Sequence, residues 1–290
     1  MRRMVAVFLL AAWPAQGWWD EGHQVVARIA AARLTREARA RVAELLGVED
    51  DPDGVADGLA KAAVWADGVK EETSSGDWHF LNWAWQDNRA NLADRCWNDD
   101  CVTARVKLFA AQLKSDEADE TARFSDAEAL RFLVHFVGDL HQPLHVSNNA
   151  DEGGQCEVLE EAIGRAETLH ELWDGELVSR MGEDDAALAA ELNIEIGAMS
   201  ERSRGDFAAG EVEDWAWEAH RLAIADVYKR LGIRKQEAAE IVGCNSASDE
   251  IQGMRVKVDE KYMDEMEPVV REQLKKAGLR LAEMLNTIFE

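Results

Sequence analysis

The sequence is short of positive charge, of proline and of histidine, and each shortage narrows what the chain can be. Only 32 Lys+Arg stand against 57 Asp+Glu, a formal net charge of −25 over 290 residues. A groove that grips nucleic acid through clustered Lys and Arg is hard to build from this composition, so a polyanion binder would need another source of positive charge. Four prolines, no low-complexity tract and 47% apolar residues exclude collagen, coiled coil and a disordered tail, and leave enough material for a sizeable core. No stretch after the first few residues approaches the ~20 apolar residues needed to cross a bilayer.

What is present begins with an address. Arg2 and Arg3 precede the apolar run from Val5 to Ala12, and Ala15 and Gly17 supply small residues ahead of a cut before Trp18. Residues 1–17 therefore read as a secretory signal peptide, and residues 18–290 as one domain that is secreted or periplasmic. Cys96, Cys101, Cys156 and Cys244 remain after that cut. An even count in an exported chain favours two disulfides. The gap from Cys96 to Cys101 suits a local staple and leaves Cys156 for Cys244, although the sequence alone allows three connectivities. The lack of any CxxC pair argues against thiolate zinc.

Apolar residues recur at helical spacing almost throughout. Val270, Leu274, Ala277, Leu281, Leu285 and Ile288 form one stripe on a long helix expected to begin around Pro268. The run from Trp215 to Leu231 behaves alike and stops at Gly232. Ser125 with Glu128 forms a capping-box pattern that opens a helix through Phe132, Phe136 and Leu140, halted by Pro143. Connections are expected at Asp50 to Gly58, Asn82 to Asp100 and Ser147 to Gly164. The fold expected is all-α, with few or no strands and with functional loops.

The chemistry lies in the seven histidines, His23, His79, His135, His141, His145, His170 and His220. His135 and Asp139 stand at i and i+4, so they project from one helix face, and His145 follows just past Pro143. His170 and Asp174 repeat the spacing. A lone pair of this kind is an ordinary core or surface feature. Two pairs plus His145 in a histidine-poor chain match the nitrogen and oxygen ligands of catalytic zinc.

The segment from His135 to Val146, HFVGDLHQPLHV, resembles the central signature of the secreted trinuclear-zinc, single-strand-specific nucleases of the S-one/P-one type. Trp65-Ala66-Asp67 with Lys70, Trp78-His79-Phe80, the Cys96 to Cys101 spacing, His170 to Asp174 and the C-terminal helix also have counterparts in that family, in the same order. The resemblance covers the whole of 18–290. It implies a helical fold and three zinc ions. One would be held by Asp67, His79, His135 and Asp139. A second would take the free amine and carbonyl of Trp18, with His23 and the other oxygen of Asp139. The third would take His145, His170 and Asp174. Three dications against three aspartates leave the cluster positive, which supplies the charge that Lys and Arg do not.

The resemblance further implies hydrolysis of phosphodiesters in single-stranded DNA and RNA, with 3′-nucleotides as a further candidate substrate, to products with 5′-phosphates. Zinc would lower the pKa of water toward ~7 and present hydroxide to phosphorus. Asp67 would orient or deprotonate that nucleophile, and Lys70 would offset transition-state charge, though a Lys one turn after Asp67 is also an ordinary exposed residue. Phe80 resembles the family's base-stacking aromatic, with core packing as the other reading, and Asn82 would contact a base edge. Gly153-Gly154-Gln155 departs from the family's Gly-Gly-Asn. Trp83, Trp85 and Trp97 either line the groove or fill the core, the core being the favoured reading, while His141 is assigned to a structural role and His220 to a helix face. Two competing readings are a zinc phospholipase C of the same wider fold, disfavoured by His170 pairing with Asp174 where that group resembles HxxxE, and a non-enzymatic zinc-binding envelope protein.

Overall fold

The computed structural model describes residues 18–115, 122–182, 184–236, 244 and 255–290. The signal peptide expected over 1–17 lies outside them. Helix α1 (Asp20–Ala31) is followed by α2 (Arg36–Leu46), α3 (Pro52–Ala63) and α4 (Trp65–Thr73). Then come α5 (Val102–Lys114), α6 (Asp126–Asp139), α7 (Asp185–Ala198), α8 (Glu201–Ala208), α9 (Val212–Leu222) and α10 (Glu260–Phe289). Shorter helical turns lie between them, among them Gly76–His79, Pro143–Val146 and the run 169–179.

Local chemistry sets most of these boundaries. The Ser125 side chain accepts from Glu128 N while the Glu128 carboxylate reaches back to Ser125 N, so the expected capping box opens α6. Thr35 caps α2 by accepting from Ala38 N, and Gly47 ends it in the left-handed region. Helix α6 is buried continuously from Ala129 to Asp139 apart from Arg131, so it runs through the interior, with α5 and α3 packed against it and α1 clamped between α3 and α10. Trp78, Phe109, Phe124, Phe132 and Phe136 form an aromatic group at its base, with the Phe109 and Phe132 rings stacked at 5.0 Å. Truncating Phe132 to alanine there would cost about 3–5 kcal/mol, mostly as an unfilled cavity.

Three sequence expectations are corrected. The last helix begins at Glu260, with Pro268 inside it, because Asp259 caps the chain through Tyr262 N and Tyr262, Met263 and Met266 bury their side chains. That burial and cap outweigh the one backbone bond a proline removes. The supposed connection at 50–58 is mostly the start of α3, where Asp51 accepts from Asp53 N and Gly54 N and Pro52 takes the first helical position. The connection expected at 147–164 contains strand β1 (Val158–Ile163), antiparallel to β2 (Ala166–Thr168), with Val158 opposite Thr168. The hairpin also starts the next helical run. Thr168 at its end accepts from Glu171 N and so caps the segment that carries His170.

Disulfides join Cys96 to Cys101 and Cys156 to Cys244. Among the described residues no helix is long and apolar enough to cross a membrane.

Candidate metal centre

Separate elements deliver the expected ligands to one buried region. Helix α1 brings His23, α4 brings Asp67 with Lys70, and the turn Gly76–His79 brings His79. Helix α6 brings His135 and Asp139, and the turn Pro143–Val146 brings His145. The run 169–179 brings His170 and, in its π-helical segment Leu172–Glu176, Asp174. His23, His79, His135, Asp139, His145, His170 and Asp174 are each at most 1% exposed.

Asp139 sits at the middle. One of its oxygens lies 2.9 Å from His79 Nδ1 and 3.2 Å from His135 Nε2, and the other 3.4 Å from His23 Nε2 and 3.5 Å from His145 Nδ1. Asp67 approaches His135 Nε2 to 3.7 Å and His79 Nδ1 to 3.9 Å. His145 Nε2 and His170 Nε2 face the two oxygens of Asp174 at 3.5 and 3.2 Å. The donor atoms fall into three groups: His23, His135 and Asp139; Asp67, His79 and His135; and His145, His170 and Asp174. Within each, the ligand atoms lie inside 4.8 Å of one another.

The backbone decides which ring nitrogen points inward. His135 Nδ1 donates to Ala63 O at 2.6 Å, His170 Nδ1 to Gly153 O at 2.7 Å and His145 Nδ1 to His79 O at 3.0 Å. Each bond fixes the ring orientation and turns Nε2 into the cluster, the arrangement that orients a metal ligand once Nε2 is unprotonated. His145 Nε2, His170 Nε2, His79 Nε2, both ring nitrogens of His23 and one oxygen of Asp139 have no hydrogen-bond partner among the described residues. Buried polar atoms left in this state are costly. Imidazole nitrogens converging with carboxylate oxygens, several of them orphaned, fit zinc in donor type and in number.

Charge tells the same story. Burial opposes a proton on His135, but the Asp139 and Asp67 carboxylates push its pKa up to about 9. Burial, with His135 adding repulsion, pulls the stacked His23 ring down to about 4. Burial would raise the Asp67 carboxyl, yet the His135, His79 and Lys70 charges hold it below its ordinary value. A lone proton on His135 thus does what a cation would do, and loading a metal must expel it.

Two glycines make room. A Cβ on Gly138 in α6 would lie 2.6 Å from His23 Nδ1. Gly153 sits at φ +62°, where a Cβ would meet Leu144 O at 2.5 Å, and its own carbonyl orients His170. The first explains why a glycine precedes Asp139 in the histidine motif, a signal legible only once α1 is known to cross there.

Several assignments change with this geometry. Lys70 is not an exposed helix residue: it is 6% exposed and its Nζ lies 3.1 Å from Asp67 Oδ1. Trp18 is buried, with Nε1 donating to Gly138 O at 3.0 Å, next to Asp139. Phe80 is half-buried, and its ring lies 4.5 Å from His145 and 6.1 Å from His170, over the third group. Asn82 is exposed, on a strip where Leu81 N bonds His145 O and Asn148 N bonds Trp83 O. Trp83 fills the core and Trp85 stacks on Tyr228, but Trp97 is 78% exposed, held out by the short Cys96 to Cys101 loop. His220 is fully buried, not a plain helix-face residue, and its Nδ1 meets Ser147 Oγ at 2.6 Å. His141 is structural, accepting from the buried Arg280 at 2.8 Å and donating to Val137 O. Gln142, which sequence reasoning did not single out, donates to Asp174 Oδ1 at 2.6 Å and steadies that ligand.

Such a centre on a helical frame defines a protein able to hold a group of metal ions at one buried site. The protein-family model for S1/P1 nuclease matches residues 18–290, and the chain belongs to that family. It is similar to Endonuclease 2 of Arabidopsis thaliana, at 30% identity over 99% of this chain and 96% of the relative. It is also similar to Nuclease S1 of Aspergillus oryzae, at 28% over 94% and 92%, and to Nuclease P1 of Penicillium citrinum, at 26% over 93% and 97%. The chain is accordingly a nuclease, a hydrolase of phosphodiester bonds in nucleic acid, of a zinc-dependent family.

Proposed function

We propose that residues 18–290 form one exported trinuclear-zinc nuclease domain, released by cleavage after Gly17, that cuts unpaired DNA and RNA, and 3′-nucleotides, to 5′-phosphate products. The observation that carries this reading is the convergence of three adjoining groups of buried imidazoles and carboxylates with orphaned donor atoms. One zinc is assigned to Asp67, His79, His135 and Asp139, one to Trp18, His23 and Asp139, and one to His145, His170 and Asp174. When bound, zinc lowers the pKa of water toward ~7 and withdraws charge from a phosphodiester oxygen.

The chain's own groups complete the chemistry. Asp67, held ionised and 3.1 Å from Lys70, orients the attacking water and takes its proton. Lys70 offsets the charge that builds on the phosphate. The half-exposed ring of Phe80 offers a π-face to any base, which favours strands whose bases are not already stacked in a duplex. Asn82, exposed on the adjoining strip, meets a base edge.

The test is parallel hydrolysis of single-stranded DNA, duplex DNA, RNA and a lecithin emulsion, with and without chelator, alongside elemental analysis. Close to three zinc per chain and chelator-sensitive cleavage of the unpaired strands are expected. A reproducible content at or below one zinc, or preferential hydrolysis of lecithin, would overturn the assignment. A chain starting Met-Trp18 lacks the terminal amine on Trp18 and should lose about one zinc. Equal zinc in the extended and trimmed forms would remove Trp18 from the ligand set.

A further inference from the structure

Away from the metal centre, a cavity of about 600 Å³ opens between α9, the π-helical segment Ala223–Tyr228 that continues it, and α10. Its floor contains Gln273, which is 1% exposed and whose amide oxygen and nitrogen both lack a hydrogen-bond partner among the described residues. A buried amide in that state is expensive; its polar atoms are covered in the resting structure, and a turn of the side chain toward the cavity would let a ligand presenting one donor and one acceptor side by side satisfy it. The edge of a nucleobase has that pattern.

The walls supply the rest of such a ligand's needs. Trp217 lines the cavity, and its ring is held on the core side by Trp83 at 5.2 Å and His220 at 5.1 Å, so it makes a fixed aromatic platform. Four carboxylates also line it, yet each is paired with a cation: Asp214 with Arg89, Glu218 with Arg280, Glu272 with Lys276, and Asp226 with Arg230, whose second partner Glu265 is in turn paired with Lys261. Arg221 and Lys229 are exposed at the rim and have no carboxylate partner among the described residues. On a chain of net charge −25, this cavity therefore presents two uncompensated positive charges. The backbone is unusual at the same place. A π-helical turn is rare and concentrates at functional sites, and the other π segment here, Leu172–Glu176, carries Asp174.

We propose that this cavity is a second nucleotide site, in which Trp217 stacks the base, the Gln273 amide reads the base edge, and Arg221 with Lys229 takes the phosphate. The choice of a nucleotide over another aromatic anion rests on the nuclease reading; the cavity itself does not. It is built from α9 and α10, which supply none of the expected metal ligands.

Equilibrium dialysis of 5′-AMP, which contains no phosphodiester to cut, tests the proposal on zinc-loaded protein. Wild type should bind one more AMP per chain than Trp217→Ala or the double variant Arg221→Glu/Lys229→Glu. Adenosine and inorganic phosphate alone should bind that site about tenfold more weakly, or worse, since each makes only part of the contacts. Gln273→Leu should weaken AMP at this site about tenfold while raising the melting temperature without ligand, because it removes an unpaired buried amide. The same number of bound AMP in wild type, Trp217→Ala and the rim double variant would overturn the proposal. Cleavage of single-stranded DNA by the same preparations separates the two readings. A protein that binds the extra AMP but cuts nothing would sink the nuclease reading alone, whereas one that cuts but shows no variant-sensitive AMP would sink only the second site.

Discussion

The two halves of the candidate metal centre are built in opposite ways. The half around Asp139 gathers His23, Asp67, His79 and His135 from separate helices and turns, with carboxylate-to-imidazole distances as short as 2.9 Å and a ring driven up to about 9. The half around Asp174 draws His145 and His170 from two elements joined through the β-hairpin, stacks those rings 5.1 Å apart, and lies under the half-buried Phe80. Distant ligands make the first half both a staple for the fold and the place where charge is most concentrated. The second half differs in lying beneath Phe80, the ring to which the proposed function gives base stacking.

Disabling the first half at Asp67 should have the largest effect. Asp67→Asn is expected to lower turnover by about 10³-fold or more, since on the proposed assignment it removes both a ligand and the group that takes the nucleophile's proton, with loss of about one zinc. A variant with full zinc and turnover within tenfold of wild type would erase the distinction between the halves.

Metal removal should next separate folding from chemistry. Ions that bind only the folded chain stabilise it by mass action, so chelation should lower the melting temperature by roughly 10 °C for a chain of this size. The chelated protein should also be acid-sensitive, through two histidines that lie outside the candidate ligand set. Burial, with the Arg280 charge, holds His141 down to about 3, and burial holds His220 at about 4, both below the value of an unfolded histidine. Their contribution is therefore fully present above pH ~6.5 and is lost as pH falls toward 3 to 4. A melting temperature of the chelated protein that stays flat or rises between pH 7 and 4.5 would contradict this sign.

Phe80→Ala probes the substrate-facing half. Loss of stacking worth ~1–3 kcal/mol should raise KM for unpaired strands about 5- to 100-fold, with a smaller change in kcat. A fall in kcat at constant KM would instead tie the ring to the orientation of His145. The smallest effect on activity is expected from His220→Ala, since His220 touches Ser147, Trp83 and Trp217 and no candidate ligand. It deletes a buried partner of Ser147, so stability should fall by about 1–3 kcal/mol while turnover per zinc-loaded molecule stays near wild type.

Much of this site is legible in spacing alone. The His135/Asp139 and His170/Asp174 pairs depend only on helical geometry, and the Ser125 cap acts within one turn, so a one-dimensional pattern carries both. The start of α10 could not be read this way, because Pro268 is a strong local stop signal. Burial of Tyr262, Met263 and Met266 against distant elements overrode it.

By itself, then, the sequence determined the helical class, the capped α6 and the candidate pairs His135/Asp139 and His170/Asp174, since these follow from spacing and donor chemistry, whereas Trp18, His23, Asp67 and His79 entered only through the family resemblance. Only the tertiary structure decided that Gly138 must be glycine, that Lys70 and His220 are buried, that Trp97 is not, and that Gln142 holds Asp174. Each of those depends on which segments meet after hundreds of ångströms of chain have been folded back, and no local propensity encodes such a meeting. The cavity beside Gln273 belongs to the same class: α9 and α10 read as ordinary amphipathic helices, and only their packing brings an unpaired amide, a tryptophan face and two rim cations together.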